Sequence, residues 1–420
     1  MRLLPAFISS TLLWMSLNSP AQATFDSGSN GSDGAFSPSS STVIDLSQAG
    51  SGPGNGVYDP TRWAVVFNYT TIDIAAGRTI TFINHPSGAP VVWLASGDAT
   101  ISGTVRLDGS YGISGSQPSL YSVPGPGGFA GGRHYIDHVL SPATGGFGPG
   151  GAPKSTGSGA GGGYGTAGGV AGGVAGGTYG NATILPLIGG SGGGGSNVVL
   201  DGGGAGGGAI LIASSGNITL NTGGKISALG GSEAAGGGGS GGGIRLVANG
   251  VGGSGLLRAT GGTTSSGGGA GGYGRIRVEG TLVTLVDPGS PAWTVSYTPG
   301  PVFPDSNAPT LAVSRIVGLV APTDPRAGIE TTDLAIADTS TVTVEIAATN
   351  IPVGTVVSVV VVPENGSGQT VSSMPLAGTP ESSTATAQVA FERGRRSEIF
   401  LRADWAGGSA TSTPARLQNR

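Results

Sequence analysis

The sequence predicts an all-β protein in two parts: a right-handed parallel β-helix with glycine-rich, polyglycine II-like insertions, followed by an immunoglobulin-like β-sandwich. Glycine accounts for 85 of the 420 residues, and its runs alternate with short apolar segments of strand type. Equivalent residues in these segments, Ile210, Ile244 and Ile276, recur at spacings of 34 and 32 residues, a repeat length typical of solenoids. From residue 310 onward Val, Thr and Ala dominate, and strand-type segments follow one another between turn residues, as in a sandwich.

The N-terminus has the pattern of a secretory signal peptide. Met1 and Arg2 precede the apolar stretch Leu3–Leu17, which is followed by Pro20 and the small-x-small sequence Ala21-Gln22-Ala23. We therefore expect residues 1–23 to be removed and the protein to be exported, with no transmembrane segment after cleavage, because no apolar stretch reaches the length that spans a membrane. The chain has no cysteine, so disulfides and a cysteine-linked lipid anchor are excluded, and the source is expected to be bacterial.

Residues 24–286 are the predicted glycine-rich β-helical domain. Three glycine runs, Gly202–Gly208, Gly236–Gly243 and Gly267–Gly274, each lead directly into an apolar segment. Within a repeat the pattern is strand, turn, strand, turn and short strand, with apolar residues at every second position. Three short strands per repeat, stacked on similar neighbours, predict a parallel β-helix, and parallel crossovers are almost always right-handed.

The glycine runs allow two interpretations. Fixing glycine costs more conformational entropy than fixing any other residue, so an ordered run needs dense backbone hydrogen bonding to neighbouring runs. Extended runs of polyproline II type, packed side by side, would supply that bonding, because backbones without side chains can approach closely. The alternative is a set of loose loops that bulge from the β-helix.

The stretch 287–309 is rich in proline and is predicted to link two domains. Residues 310–420 then contain six strand-type segments: Leu311–Val320, Val342–Ala348, Val356–Val362, Val371–Leu376, Thr384–Phe391 and Glu398–Trp405. This spacing is typical of an immunoglobulin-like sandwich, here without its disulfide. We expect Phe391 and Trp405 to lie in the core, and we expect residues 310–420 to fold without the glycine region.

One histidine pair is a candidate metal site. His134 and His138 are four residues apart with Asp137 beside the second, and on a helix this spacing would place both imidazoles on one face. Neighbouring glycines disfavour a helix, so an exposed insertion loop is the alternative interpretation.

An oxygen-rich segment near the mature N-terminus is a candidate calcium site. Asp26, Asn30 and Asp33 lie close together in the sequence, but the spacing and terminal Glu of an EF-hand are missing. Turn chemistry explains the same residues. Calcium is therefore the only cofactor considered, and none is predicted.

Catalytic chemistry is not predicted. Enzymes that act on polysaccharides need paired carboxylates, or a basic residue, on one face of the helix. The repeats offer four scattered carboxylates beside glycine turns: Asp108, Asp201, Glu233 and Glu279. Nothing in the sequence brings them together, so no catalytic residue is assigned and the protein is not expected to be an enzyme.

Tyrosines among the glycines are the better candidates for binding. Six of them stand where few other side chains could contact a partner: Tyr111, Tyr121, Tyr135, Tyr164, Tyr179 and Tyr273. Aromatic faces stack on sugar rings and supply rigid contact area. The alternative is that these rings fill gaps between the glycine strands.

Two stretches carry a resemblance to other proteins. The segment from Tyr179 to Gly195 (YGNATILPLIGGSGGGG) and the segment Gly206–Ser214 (GGGAILIAS) resemble a broad set of uncharacterised, secreted, glycine-rich bacterial proteins. The resemblance covers roughly residues 24 to 280 and implies export and a β-helical fold, with no assigned activity. The glycine runs are also similar in composition to the polyglycine sandwiches of phage tail-tip adhesins and of a glycine-rich antifreeze protein, and no functional residue is carried over.

These observations predict a secreted or cell-surface structural and adhesive protein that binds an extracellular polysaccharide or another surface component. A β-helical polysaccharide lyase or glycoside hydrolase is the alternative, and clustered acids and a base in a groove would distinguish it. Ice binding would need a regular threonine array, which the repeats lack. With 23 acidic and 19 basic residues, and a formal net charge of −4, no nucleic-acid partner is expected.

Overall fold

The computed structural model describes residues 24–115, 120–136, 143–322, 332–337, 341–364, 368–412 and 414–419. The structure is all-β, with about 40% strand and about 1% helix, and contains parallel sheets, so the predicted all-β character is confirmed. The strands of the glycine-rich part are β1 (Gly34–Phe36), β2 (Thr42–Asp45), β3 (Val57–Asp59), β4 (Ala64–Ile74), β5 (Thr79–Ile83), β6 (Val91–Ala95), β7 (Ala99–Ile101), β8 (Thr104–Arg106), β9 (Ala209–Leu220), β10 (Lys225–Ser227), β11 (Gly243–Gly253), β12 (Leu256–Arg258), β13 (Arg275–Glu279), β14 (Leu282–Leu285) and β15 (Thr294–Ser296). The later strands are β16 (Thr310–Ile316), β17 (Leu319–Val320), β18 (Leu334–Ile336), β19 (Thr341–Thr349), β20 (Val356–Pro363), β21 (Gln369–Pro375), β22 (Ala377–Thr379), β23 (Ser382–Ala390), β24 (Arg395–Trp405), β25 (Gly408–Thr411) and β26 (Ala415–Asn419). A short 3-10 helix covers Leu46–Gln48.

Two sheets, parallel except for β3, form the glycine-rich part. As far as the described residues go, the large sheet has the order β1-β4-β6-β9-β11-β13-β15 with β3, β7 and β14 beside it, and the small sheet has the order β12-β10-β8-β5-β2. Ile210 is in register with Ile244, which in turn is in register with Ile276. The spacing found in the sequence is thus the number of residues along the chain between positions that pair in adjacent parallel strands. β3 pairs antiparallel to β4.

The apolar core lies between these two sheets. Alternate residues of the large sheet, such as Phe67, Trp93 and Ile212, are fully buried in one cluster with Ile80 and Ile226 of the small sheet. The β-branched and aromatic residues favour strands because they pack well on a pleated surface. The two-residue alternation therefore decides which face of each strand is buried.

The glycine runs are packed side by side. The segments that leave the small sheet after Arg106, Ser227 and Arg258 turn back and enter the large sheet at β9, β11 and β13. Each amide of Gly202–Gly208 donates to a carbonyl of one of three neighbouring runs, and successive amides bond to the three runs in turn. For example, Gly203 donates to Gly132, Gly204 to Gly237 and Ala205 to Ser110. We call the described parts of 107–136, 143–208, 228–242 and 259–274 the glycine bundle.

Steric contacts explain why these positions are glycine. A Cβ on Gly203 would lie 1.9 Å from the carbonyl oxygen of Gly193, and one on Gly241 would lie 1.9 Å from that of Ala259. Neither contact leaves room for any side chain. In the structure these runs are therefore packed against one another and not loose loops.

The predicted linker 287–309 is attached to the large sheet. Its residues Thr294–Ser296 form β15, which pairs parallel to β13. Further on, the amide of Gly300 donates to Glu279 Oε2 at 2.7 Å, and the Arg62 guanidinium lies 4.0 Å above the Phe303 ring. The described contacts therefore place this stretch across the outer face of the large sheet.

The C-terminal unit, from Thr310 onward, has two mainly antiparallel sheets. Among the described residues their orders are β17-β16-β19-β23-β22 and β18-β26-β24-β20-β21, with β25 beside β24. Alternate residues such as Ile346, Val359 and Leu401 are fully buried between them. Phe391 is buried and Trp405 is partly buried against this core, as expected.

The C-terminal unit contacts the glycine bundle directly. Phe400 of β24 packs edge-on against Phe129, with 5.5 Å between ring centroids. Arg133 of the bundle forms an ion pair of 2.6 Å with Glu364, and the amide of Gly148 donates to Glu398 at 2.9 Å. The two parts therefore share a buried interface that contains both rings and charges.

Candidate functional site

The described turns and runs at the far end of the glycine bundle carry six side chains of interest. Two of the connections between outgoing and returning runs lie furthest from the strands, at residues 232–235 and 263–267, and the described residues 113–115 lie at the same end. A further turn at residues 197–200 lies among them, because the amide of Gly115 donates to the carbonyl of Leu200 at 2.9 Å. We call this group the tip surface: Tyr111, Val198, Val199, Leu200, Asp201 and Glu233.

Backbone bonding fixes the tip surface in place. The amide of Ser196 donates to the carbonyl of Asp201 at 2.8 Å, which closes the turn that carries the three apolar residues. The amide of Gly202 then donates to the carbonyl of Ile113 at 3.0 Å. These bonds hold the backbone of the tip surface against the bundle, which reduces the entropic cost of ordering that backbone when a partner binds.

The tip surface exposes large apolar groups. Tyr111 is 73% exposed, and Val198, Val199 and Leu200 are 55%, 41% and 45% exposed. Val198–Leu200 are three consecutive exposed apolar residues and form one patch, and the exposed ring of Tyr111 lies on the neighbouring run, whose Gly115 bonds to Leu200. Such patches mark interaction sites on soluble proteins.

Two carboxylates border this patch. Asp201 Oδ2 accepts a hydrogen bond from the amide of Ala235 at 3.2 Å, and Glu233 Oε1 accepts one from Ala234 at 2.9 Å. Partial burial raises the pKa of Glu233 above its usual value, and the negative charge of Asp201 raises it further. The structure thus brings together two acids that the sequence left scattered.

The other two carboxylates lie elsewhere. Asp108 accepts a hydrogen bond from the amide of Leu229 at 2.8 Å. Glu279 is buried on the outer face of the large sheet, where Arg245 donates to it at 3.0 Å. Both have structural partners and neither belongs to the tip surface.

Three of the six candidate tyrosines have exposed or partly exposed side chains. Tyr111 belongs to the tip surface, Tyr273 is 50% exposed, and Tyr135 is partly exposed. The amide of Tyr273 donates to Thr166 Oγ1 at 2.8 Å, so Tyr273 stands on a hydrogen-bonded run. These three rings remain accessible to a partner.

The other three tyrosines are buried, which corrects their choice as binding candidates and agrees with the alternative that these rings fill gaps between the glycine strands. Tyr164 and Tyr179 pack on each other with 4.6 Å between centroids, and the Tyr179 hydroxyl donates to the carbonyl of Gly189. The Tyr121 hydroxyl donates to Glu364, and its ring packs edge-on against Phe147. Rings fill the space that neighbouring glycines leave, so these three are core residues.

The candidate metal residues do not form a site in the described part of the chain. His134 is buried, and its Nδ1 lies 2.6 Å from the carbonyl of Tyr135, whereas Asp137 and His138 lie outside the described residues. Among the described residues no three His, Cys, Asp or Glu side chains converge as metal ligands would.

The candidate calcium residues bind backbone amides instead of one another. Asp26 Oδ1 accepts from Gly28 at 2.9 Å, and Asn30 Oδ1 accepts from Ser32 at 2.9 Å. The carboxylate of Asp33 accepts from the amides of Gly54 and Asn68, at 2.8 and 2.6 Å. Asp33 thereby connects β4 to the preceding loop.

Sequence reasoning missed the apolar part of the tip surface. The segment Val198–Leu200 follows Ser-Asn and precedes Asp-Gly, so its three apolar residues look like one more short buried strand. The signal that could have identified them is their length, since the segment is shorter than the strand-type segments that follow glycine runs elsewhere.

Comparison of this chain with protein-family models, curated proteins and solved structures gave no match. The described residues include no helix long and apolar enough to cross a membrane.

Proposed function

We propose that the protein is an exported structural and adhesive protein that contacts an extracellular polysaccharide, or another surface component, through the tip surface. The observation that carries this proposal is the exposure of Tyr111 and Val198–Leu200 at the end of a hydrogen-bonded bundle. Flat aromatic and aliphatic groups suit the apolar faces of sugar rings, and the bordering acids offer acceptors to hydroxyl groups. The net charge of −4 makes a nucleic-acid partner unfavourable.

The architecture that we propose for this role is a right-handed parallel β-helix with polyglycine II-like runs, joined to an immunoglobulin-like sandwich. The three-residue period of the hydrogen bonds supports the polyglycine part, because Gly202, Ala205 and Gly208 donate to Ile113, Ser110 and Leu107 in turn. Three residues per turn is the period of the polyproline II helix. The two parallel sheets and the two C-terminal sheets support the other parts.

Export would follow from removal of residues 1–23. The pattern of a short apolar stretch followed by Ala21-Gln22-Ala23 supports cleavage after Ala23. Mass spectrometry of the protein collected outside the producing cell should give a chain that begins at Thr24. Recovery of a chain that retains Met1 would count against export.

Binding to a glycan array, with the purified mature protein, tests adhesion through the tip. Leu200→Asp places a charge in the patch at a residue that is 45% exposed, and Tyr111→Ala removes its ring. We expect both variants to lose binding to any glycan that the wild type retains. Tyr297→Ala is the matched control, because Tyr297 is 65% exposed but follows β15, away from the tip.

Two results would count against this proposal. One is retention of full binding by both tip variants, and the other is equal loss of binding in the Tyr297→Ala control. Thermal unfolding of each variant should match the wild type, since exposed substitutions change stability by only about 0.5 kcal/mol.

The pair Asp201 and Glu233 favours a second candidate function, hydrolysis of a polysaccharide. A carboxyl whose pKa is raised, lying close to a second carboxyl, is an arrangement that a general acid and its partner use. Release of reducing ends from a polysaccharide panel would show such an activity. Glu233→Gln and Asp201→Asn should each abolish it, while Asp108→Asn should not.

A further inference from the structure

A groove on the outer face of the large sheet is separate from the tip surface. It has a volume of about 530 Å³, within the range of small-molecule sites, which is roughly 300–1,000 Å³. Its walls come from three distant parts of the chain: the mature N-terminus at Asp26, the β3–β4 region, and the stretch that carries Phe303.

The floor of the groove is apolar and firmly packed. Val66 and Leu94, from adjacent parallel strands, are 8% and 4% exposed and belong to a cluster that continues across the sheet to Leu211 and Val247. Phe303 forms one wall, and the Arg62 guanidinium covers one face of its ring at 4.0 Å. The floor is therefore preformed and does not need a ligand to order it.

The rim carries hydrogen-bonding groups of both kinds. The side-chain amide of Asn68 is partly exposed in the groove and has no hydrogen-bond partner among the described residues, so it can offer a donor and an acceptor. The Asp26 carboxylate keeps acceptor capacity beyond its bonds with Gly28 and Ser215. Arg62 lies 3.3 Å from Asp59, so its positive charge is already compensated.

Charge on the rim selects against anions. Asp26 and Asp59 contribute two negative charges and Arg62 one positive charge, so the groove is negative overall. The combination of an apolar floor, an aromatic wall, a free amide and carboxylate acceptors suits a ligand that has a C–H face and several hydroxyl groups. We propose that this groove binds a neutral saccharide of one or two residues. The Asp26 carboxylate would accept hydrogen bonds from its hydroxyl groups, and the Asn68 side-chain amide would both accept and donate.

The test is titration of the full mature protein, by calorimetry, with four probes: glucose, galactose, glucosamine and galacturonate. We expect saturable binding of at least one neutral sugar and no binding of galacturonate. Asn68→Ala should weaken that binding by about tenfold, the effect of losing one or two hydrogen bonds. Val57→Trp should abolish it, because Val57 lines the groove with 57% of its side chain exposed and a larger ring there would occupy the space.

Val43→Trp is the matched control, since Val43 is 59% exposed on β2 of the small sheet. It should bind as the wild type does, as should the tip variant Leu200→Asp. The proposal is overturned if no neutral sugar binds, if Val57→Trp binds as well as Val43→Trp, or if glucosamine alone binds, which would make the groove a cation site. Because the tip variants leave the groove intact, failure here is distinguishable from failure of the adhesive function.

Discussion

Buried ion pairs at the interface show how single residues connect the two parts of the chain. Glu398 and Arg416, both on strands of the C-terminal unit, are 2% and 4% exposed and lie 3.0 Å apart. Glu398 also accepts from the amide of Gly148, and Arg416 donates to the carbonyl of Ser87 at 3.4 Å. Each charge therefore has partners on both sides of the interface, which offsets part of its desolvation.

Removal of one member of this pair should be strongly destabilising. Arg416→Met leaves Glu398 buried without its cation, which costs about 3–5 kcal/mol in comparable pairs. Chemical denaturation of the full mature chain measures the change. Arg402→Met is the matched control on the same sheet, because the Arg402–Asp404 pair is exposed, and exposed pairs contribute about 0–1 kcal/mol. Equal effects of the two variants would contradict this account.

The second buried pair predicts a pH dependence. Burial alone would raise the pKa of Glu279, but the hydrogen bonds and charge of Arg245, with a bond from the Gly300 amide, hold it below the usual 4.5. A lowered pKa stabilises the fold above pH 4.5, and this stabilisation is lost as the pH falls through the folded-state pKa. Wild type should therefore lose stability more steeply than Glu279→Gln on acidification, when urea midpoints are compared between about pH 5 and about pH 3.

Glu398 is a control, because its pKa is shifted in the direction opposite to that of Glu279. Its complete burial raises its pKa above 4.5, despite the charge of Arg416. A raised pKa means that stability falls as the pH rises from 4.5 through the folded-state pKa. Because Glu398→Gln has no carboxyl to titrate, its stability should fall less than that of the wild type over this pH range. Identical pH profiles for the two variants would contradict both assignments.

The glycine runs form a buried core whose contacts are made by backbone atoms. Gly202–Gly208 is buried, and its amides are bonded to carbonyls of neighbouring runs. The conformational entropy lost by ordering glycine is offset by this bonding, which no side-chain contact could replace. Slow hydrogen exchange is expected for these amides, because they open only when the bundle itself opens.

A single added side chain tests this packing. A Cβ on Gly238 would lie 2.4 Å from the carbonyl oxygen of Gly262, so Gly238→Val should destabilise the protein by about 1–3 kcal/mol, as overpacking does. Gly177 is the matched control in the same bundle, because its added Cβ would meet no atom within 4 Å. Gly177→Val should change the unfolding free energy by only about 0.5 kcal/mol. Equal stability of both variants in thermal and chemical denaturation would show that the bundle is loose in solution.

The sequence predicted elements well where a local pattern determines them. Two-residue alternation marked β19 and β23 to within two residues of their ends, and the 34- and 32-residue spacings of Ile210, Ile244 and Ile276 became sheet register. The short strand β22 was missed and β17 was merged with β16 in one predicted segment, because two or three residues carry no recognisable period.

The candidate site was less predictable, because it depends on contacts between distant residues. Tyr121 is buried because Glu364 and Phe147 cover it, and the first of these lies 243 residues away in the chain. Asp201 and Glu233 meet because two separate glycine runs turn back at the same end of the bundle. No spacing in one sequence reveals which runs are neighbours.

Alternate residues of strand β24 belong to two different hydrophobic cores of the molecule. Ile399 and Leu401 are buried between the two C-terminal sheets, whereas Phe400 belongs to the cluster that contains Phe129. Successive side chains of a strand point to opposite faces, so one strand serves both cores. The C-terminal unit thus has its own core and a second, interfacial face.

This division predicts how residues 310–420 behave when they are expressed alone. Their own core, which includes Val344, Val359 and Leu401, should support a cooperative thermal transition by circular dichroism, at a lower midpoint than in the full chain. Phe400→Ala distinguishes the two faces. In the full chain it should cost about 3–5 kcal/mol, because it leaves a cavity against Phe129, but in the isolated unit Phe400 is already solvated and the cost should be small. Leu401→Ala is the control, and it should be costly in both contexts. An isolated unit that stays unfolded, or a Phe400→Ala cost that is equal in both contexts, would mean that the interface does not divide the molecule in this way.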